Sequence, residues 1–333
     1  MKTDDLRISK EEKFLINILF KKIKDYKKKI DFKSINYDLL VKIASSHLIL
    51  PLLYVKLEKN YLIEKIPLEL KNYLKEIFKI NENRNQRLIF EAKELKKILD
   101  SKKIKFTFFK GIYNIIEGLY ERIGERMVRD IDFLIYREDF KKLALLLNNN
   151  NYNSKYYYKI WKTKHQPGFV KKGNISIIEP HTELLVYRKR KLINPKDILK
   201  KEVNGMIKIC IYNFQINDYG YLKASYSYRT IYDYFLLKDR LKNFNICDVK
   251  DKYFRSFILI MNELGISNHE IKLTFKEKIY LFRFRLKRYN RLFYWFDDLI
   301  CKIIIHTPKI IMKIIEFLFN KEYRFYVIKK LGF

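Results

Sequence analysis

The stretch Arg126-Met-Val-Arg-Asp130-Ile-Asp132-Phe-Leu-Ile135 sets two carboxylates one apolar residue apart inside a run otherwise suited to a buried strand. Side chains alternate between the two faces of a strand, so Asp130 and Asp132 point one way while Ile131 and Phe133 point into a core. Carboxylates held this way are costly to bury unpaired, and a divalent cation satisfies both. Hard oxygen ligands in this number suit Mg²⁺ or Mn²⁺, which complete their shells with water and substrate phosphates. An exposed edge strand carries the same alternation for solubility alone, so the flanking sequence must decide.

Upstream, Ile104-Lys-Phe-Thr-Phe-Phe109 reads as an aromatic strand that runs directly into Lys110-Gly111 and a helix-like Ile112-Tyr-Asn-Ile-Ile-Glu-Gly-Leu-Tyr120. A strand, Lys-Gly and a helix start together suit a phosphate. The glycine lets backbone approach, the first helical amides attract an anion, and Lys110 adds a point charge. Downstream, Asn174-Ile-Ser-Ile-Ile-Glu179-Pro-His181 reads as a third strand that offers Glu179 as a third acid, with Glu183 as the fallback. His181 follows at the same-face spacing, although Pro180 interrupts the strand pattern. It can orient a phosphate or an acceptor, or serve as a hydrogen-bonded structural residue. Arg126 and Arg129 are each open to two readings, a contact to a triphosphate or an ion pair within the protein.

In this order and at this spacing, these residues resemble the motifs of a bacterial group of largely uncharacterised nucleotidyltransferases in the polymerase-β-like superfamily. The resemblance extends from the apolar helix at residues 39–54 to Tyr228-Arg229-Thr-Ile-Tyr-Asp233. It implies an α+β fold with a small mixed sheet, divided into an N-terminal helical region (1–100), a catalytic core (101–190) and a basic C-terminal helical region (191–333). It also implies transfer of a nucleoside monophosphate from an NTP to an acceptor hydroxyl, with pyrophosphate leaving. Asp130, Asp132 and Glu179 would be the catalytic metal ligands. Lys110, Gly111, Arg126 and Arg129 would bind the nucleotide, and His181 would contact the acceptor or a phosphate. Two departures stand out: many relatives carry Gly-Ser in place of Lys110-Gly111, and the third acid is more often Asp.

Charge narrows the partner. Lys and Arg number 70 against 38 Asp and Glu, a net of +32. So large an excess attracts polyanions, and its interleaving with aromatic rings suits nucleic-acid backbones and unstacked bases. The expected acceptor is therefore RNA, in particular a tRNA end, with a toxin or phage-defence role and an antitoxin or regulatory protein as a further partner. Transfer of AMP to a protein hydroxyl and a non-catalytic RNA-binding module remain the alternatives. A polycationic aminoglycoside substrate would be repelled. The three cysteines lack metal-ligand spacing, and neither a signal core nor a transmembrane run is present, so a cytoplasmic protein is expected.

Elsewhere the periodicity predicts helices across residues 11–100, with a Glu94–Lys97 pair, and again at 139–147 and 219–241. Residues 162–169 read as a hairpin-like connection beside the site. His47 reads as a satisfied core residue. Arg283-Phe-Arg285-Leu-Lys-Arg288-Tyr-Asn-Arg291 offers an arginine face for RNA. The apolar stretch 303–319 reads as a core-facing helix broken near Pro308, with a membrane-surface helix as the alternative.

Overall fold

In the computed structural model, residues 8–22, 30–154, 168–241 and 251–331 are described. The strand reading of the acid-bearing segment holds. Among the described residues, five short strands, β1 (Phe106–Phe108), β2 (Ile131–Ile135), β3 (Tyr152–Ser154), β4 (Phe169–Lys171) and β5 (Ile178–His181), form one mixed sheet in the order β1-β2-β5-β4-β3. β2 runs antiparallel to β1 and parallel to β5, with Asp132 opposite Glu179 in register. Pro180 does not end β5. β4 pairs with β5 only at Phe169–Ile178, so the amide that Pro180 lacks is not needed by that neighbour.

Among the described residues, four N-terminal helices precede the sheet: α1 (Lys10–Phe20), α2 (Tyr37–Ser46), α3 (Leu50–Lys59) and α4 (Leu68–Ser101). The predicted Glu94–Lys97 pair forms at 2.8 Å on α4. α5 (Lys110–Ile116) follows β1, and α6 (Phe140–Asn149) lies between β2 and β3. The C-terminal helices are α7 (Pro195–Leu199), α8 (Val203–Tyr212), α9 (Tyr228–Asp239), α10 (Lys252–Glu263), α11 (Phe275–Tyr289), α12 (Arg291–Phe319) and α13 (Lys321–Leu331).

α4 is the spine of the molecule. Its first half, through Leu70, Leu74 and Phe78, joins a core shared by helices from both ends of the chain, including Leu15, Leu53, Tyr228 and Phe254. Its second half, through Leu88, Leu95 and Leu99, packs on the sheet beside Ile131, Phe133 and Ile178. Between the two apolar stripes sit buried asparagines. The side-chain amides of Asn81 and Asn85 both donate to the Arg126 carbonyl, at 3.1 and 2.7 Å, and thereby fix the approach to β2. Further along the helix, Glu91 accepts from the amides of Ile175 (2.8 Å) and Ser176 (3.1 Å) and fixes the approach to β5. One helix thus sets the height of both acid-bearing strands.

Three expectations change, and a fourth lies mostly outside the described residues. The helix at 219–241 begins only at Tyr228, because Tyr219 and Ala224 take left-handed backbone angles and Ser227 caps α9 by accepting from the Thr230 amide. The arginine face is consumed internally: Arg283 pairs with Asp297, Arg285 with Glu263 and Arg288 with Glu12. α12 runs through Pro308 without a break, and the apolar stretch within it is largely exposed rather than core-facing. Most of the hairpin-like connection, residues 162–167, lies outside the described residues.

Candidate active site

β2 and β5 present their acids side by side. Asp132 is 8 % exposed, and its Oδ1 lies 2.6 Å from Lys110 Nζ and 2.8 Å from His181 Nε2. Burial pushes the Asp132 carboxyl toward a higher pKa, but the Lys110 ammonium and the His181 imidazole outweigh it and hold the group well below the usual carboxylate range. His181, at 1 % exposure, stands edge-on against the Phe109 ring and approaches Glu179 Oε2 to 3.9 Å. Asp132, Glu179 and His181 each bring one ligand atom within 4.8 Å of the others. Two carboxylate oxygens with one imidazole nitrogen can hold a divalent cation, and the imidazole widens the choice from Mg²⁺ toward Mn²⁺ and its neighbours. The fallback acid, Glu183, instead faces Arg190 at 3.3 Å.

Asp130, one residue before β2, lines the same cavity as Asp132 and Glu179. Its Oδ1 accepts from Arg129 Nε at 3.1 Å. The Arg129 side chain is 83 % exposed, so this pair sits at the mouth of the site.

The Lys110-Gly111 turn borders the acids, but for a reason partly different from the expected one. Lys110 adopts φ +58°, a left-handed conformation that costs an L residue energy, and this turn directs its ammonium onto Asp132. Gly111 is buried against Val128: a Cβ there would lie 3.2 Å from Val128 Cγ2. The missing side chain therefore lets α5 close on the approach to β2.

Arg126 reaches a protein carboxylate. Its Nη2 lies 2.8 Å from Asp233 Oδ2 on α9, and its Nε lies 2.9 Å from Oδ1. The Asn114 amide and the Tyr120 hydroxyl also donate to Asp233 Oδ1, at 2.8 and 2.6 Å. Burial works against the Arg126 charge, yet the Asp233 carboxylate raises its pKa above the ordinary arginine value. Arg126 is thus a strut between the sheet and α9.

The cavity between these elements measures about 490 Å³, within the range of small-molecule sites. Its sheet side carries Asp130, Asp132 and Glu179, and its helical side carries Asn213, Asp218 and Arg229. No ion pair to Arg229 is formed among the described residues. Burial, followed by the nearby charge of Arg126, lowers its pKa. The sequence placed Arg229 on a helix with Asp233 but gave it no role. The available signal was their spacing of four, which sets both on one helix face.

His47 caps α2 and does not enter this site. Its Nδ1 accepts from the Tyr228 amide at 3.4 Å, and its ring stacks on Tyr226.

A family model described as an uncharacterised nucleotidyltransferase matches residues 33–218, which include Lys110, Asp130, Asp132, Glu179 and His181 and end before α9. No curated protein and no solved structure matches the chain. The match covers more than half of the sequence, and the chain belongs to this family of uncharacterised nucleotidyltransferases.

Proposed function

We propose that the protein transfers a nucleoside monophosphate from an NTP to an acceptor hydroxyl on RNA, at the cavity lined by Asp130, Asp132 and Glu179. The observation that carries this reading is the in-register placement of Asp132 opposite Glu179 on parallel strands, with Asp130 at the mouth and a lysine at the acids. In the reaction the acceptor oxygen bonds to the α-phosphorus, the bond from that phosphorus to the β-bridging oxygen breaks, and pyrophosphate leaves. Asp130, Asp132 and Glu179 would hold divalent metal, with His181 as a ligand or as the group that orients Asp132. Bound metal would lower the pKa of the attacking hydroxyl and offset charge on the phosphates.

The chain's own groups do the rest. Lys110 sits on a flexible stem and can move its ammonium from Asp132 to a phosphate oxygen. Arg229 offers a guanidinium from the opposite wall for a bidentate phosphate contact. Arg126 supports both walls through Asp233, and Arg129 stands at the entrance for an incoming phosphate. Such a site works by positioning and charge compensation, without a protein nucleophile.

RNA is favoured as acceptor by a second groove, of about 740 Å³, beside edge strand β1. Lys93, Lys96, Lys103, Lys105, Lys200 and Lys201 line it against two acids, Asp100 and Glu117, and Phe106, Phe108 and Tyr136 form apolar ground between them. Tyr113 lines both this groove and the acid-bearing cavity, so a strand gripped in one lies next to the other. Cations around aromatic rings suit a single-stranded polyanion. Within RNA, a tRNA end is the acceptor we propose, and its blockage would give the toxin or phage-defence role that an antitoxin would restrain.

Incubation with each α-³²P-labelled NTP, Mg²⁺ or Mn²⁺, and either total tRNA or cell protein tests the reading. Label removed by RNase supports it. Label removed only by protease transfers the function to protein nucleotidylation, and no label with any NTP or metal favours a binding module.

A further inference from the structure

The C-terminal half of α12 carries an apolar surface that the described residues leave uncovered. Only Asp297, Cys301 and Ile305 of this helix are buried, spaced four apart along one stripe. From His306 to Phe319 every residue but Glu316 is exposed. Ile310 is 56 % exposed, Ile314 54 %, Leu318 58 % and Phe319 83 %. Exposed apolar residues that run along one helix in this way mark a candidate docking surface.

The polar residues show how the helix is oriented. Asp298, Lys302, His306, Lys309, Lys313 and Glu316 recur at intervals of three and four. At 100° per residue they fall within an arc of about 80°, and outside it the segment from Ile303 to Phe319 is apolar except for Thr307. Exposed Tyr294, Trp295 and Phe296 at the start of the helix add aromatic residues of the kind favoured at a membrane–water boundary. No described helix is long and apolar enough to cross a membrane. A broad apolar face beside a lysine stripe is the pattern suited to lying along a bilayer.

We propose that α12 docks the protein on an anionic lipid bilayer, with its apolar face in the acyl boundary and Lys302, Lys309 and Lys313 at headgroup level. Charge selects this occupant. Two copies of a chain with net charge +32 repel one another, whereas anionic headgroups attract that charge. The inference rests on α12 and the net charge of the chain and does not depend on the nucleotidyl-transfer reading.

The test is co-sedimentation of the full-length protein with vesicles of phosphatidylcholine alone and of equal parts phosphatidylcholine and phosphatidylglycerol. The triple variant Ile311→Ser, Ile315→Ser, Leu318→Ser keeps every charge and alters only exposed positions. The expected result is binding to the anionic vesicles, at least tenfold weaker in the triple variant, with an unchanged thermal melt. Equal binding by the variant would reduce the effect to surface charge and overturn the proposal, as would absence of binding. A dimer in sedimentation velocity that the variant dissociates, without vesicle binding, would assign the face to a second copy instead.

Discussion

Arg126 and Asp233 are 107 residues apart in sequence and form a bidentate ion pair whose side chains are 8 % and 6 % exposed. The pair ties the approach to the acid-bearing strand β2 to the helix that carries Arg229. Both residues line the cavity between them. Breaking one partner of a buried pair strands the other charge, at a cost of about 3–5 kcal/mol. Asp233→Ala should lose stability on that scale in urea unfolding. Asp233→Asn, which keeps the volume and an oxygen to accept from Tyr120, should lose less. A loss below about 1 kcal/mol for the alanine variant would show that the pair is not a strut.

Asp130→Asn with Asp132→Asn should abolish nucleotidyl transfer and leave the melting temperature within a few degrees of the wild type. The amide at 132 still offers an oxygen to Lys110, so the fold keeps its contact while the site loses both negative charges. Calorimetric titration with Mn²⁺ separates the causes. Metal binding lost together with activity supports a ligand role, while retained transfer would remove the acids from the chemistry.

Much of this site was legible because it lies in short-range pattern. The alternation of Asp130-Ile-Asp132-Phe gives a strand face, and strand, Lys-Gly and helix follow one another within a dozen residues. The pairing of Arg126 with Asp233 was not legible, since no local period links residues on β2's approach and on α9. Nor was the fate of α12. A hydrophobic period shows that a helix has an apolar face but not what covers it, and a core reading of 303–319 follows from the same letters that the structure leaves exposed. The late start of α9 was hidden for another reason: left-handed turns at Tyr219 and Ala224 carry aromatic and small residues that also suit helices.

Arg229→Ala should lower transfer by about 10²–10³ if its guanidinium meets developing charge on the triphosphate. Its position opposite the acids, without an ion pair among the described residues, makes it available for that contact. Arg229→Lys should recover only part, because an ammonium cannot reproduce a bidentate fork. Steady-state kinetics with varied NTP distinguishes the effects: a raised KM alone indicates ground-state binding, and a lowered kcat indicates a contact made in the transition state.

His47 should give the fold an acid-side weakness. Burial is the main cause that lowers its pKa from 6.5 to about 4, with Glu12 opposing it. The unfolded chain therefore binds a proton that the folded protein refuses between those values. By linkage, this contribution is constant above pH 6.5, and stability falls as the pH drops from 6.5 toward 4 with a slope of about one proton. His47→Gln should remove that slope in urea unfolding measured across the window. An unchanged slope would assign the acid sensitivity to other groups.

The lysine groove beside β1 predicts how RNA binding should respond to salt. A polyanion held by lysines releases counterions, so log K falls linearly with log salt, by about 0.7 per phosphate contacted on a single strand. Lys103→Glu with Lys105→Glu removes two exposed cations from the groove without touching the acid-bearing cavity. Binding of a labelled single-stranded RNA should weaken, and the salt slope should shrink by about 1.4 if both lysines contact phosphate. The acids remain intact in this variant, so transfer to RNA should recover at high RNA concentration. A wild-type slope in the variant would place the RNA elsewhere on the surface, and a flat response in the wild type itself would remove RNA as the partner.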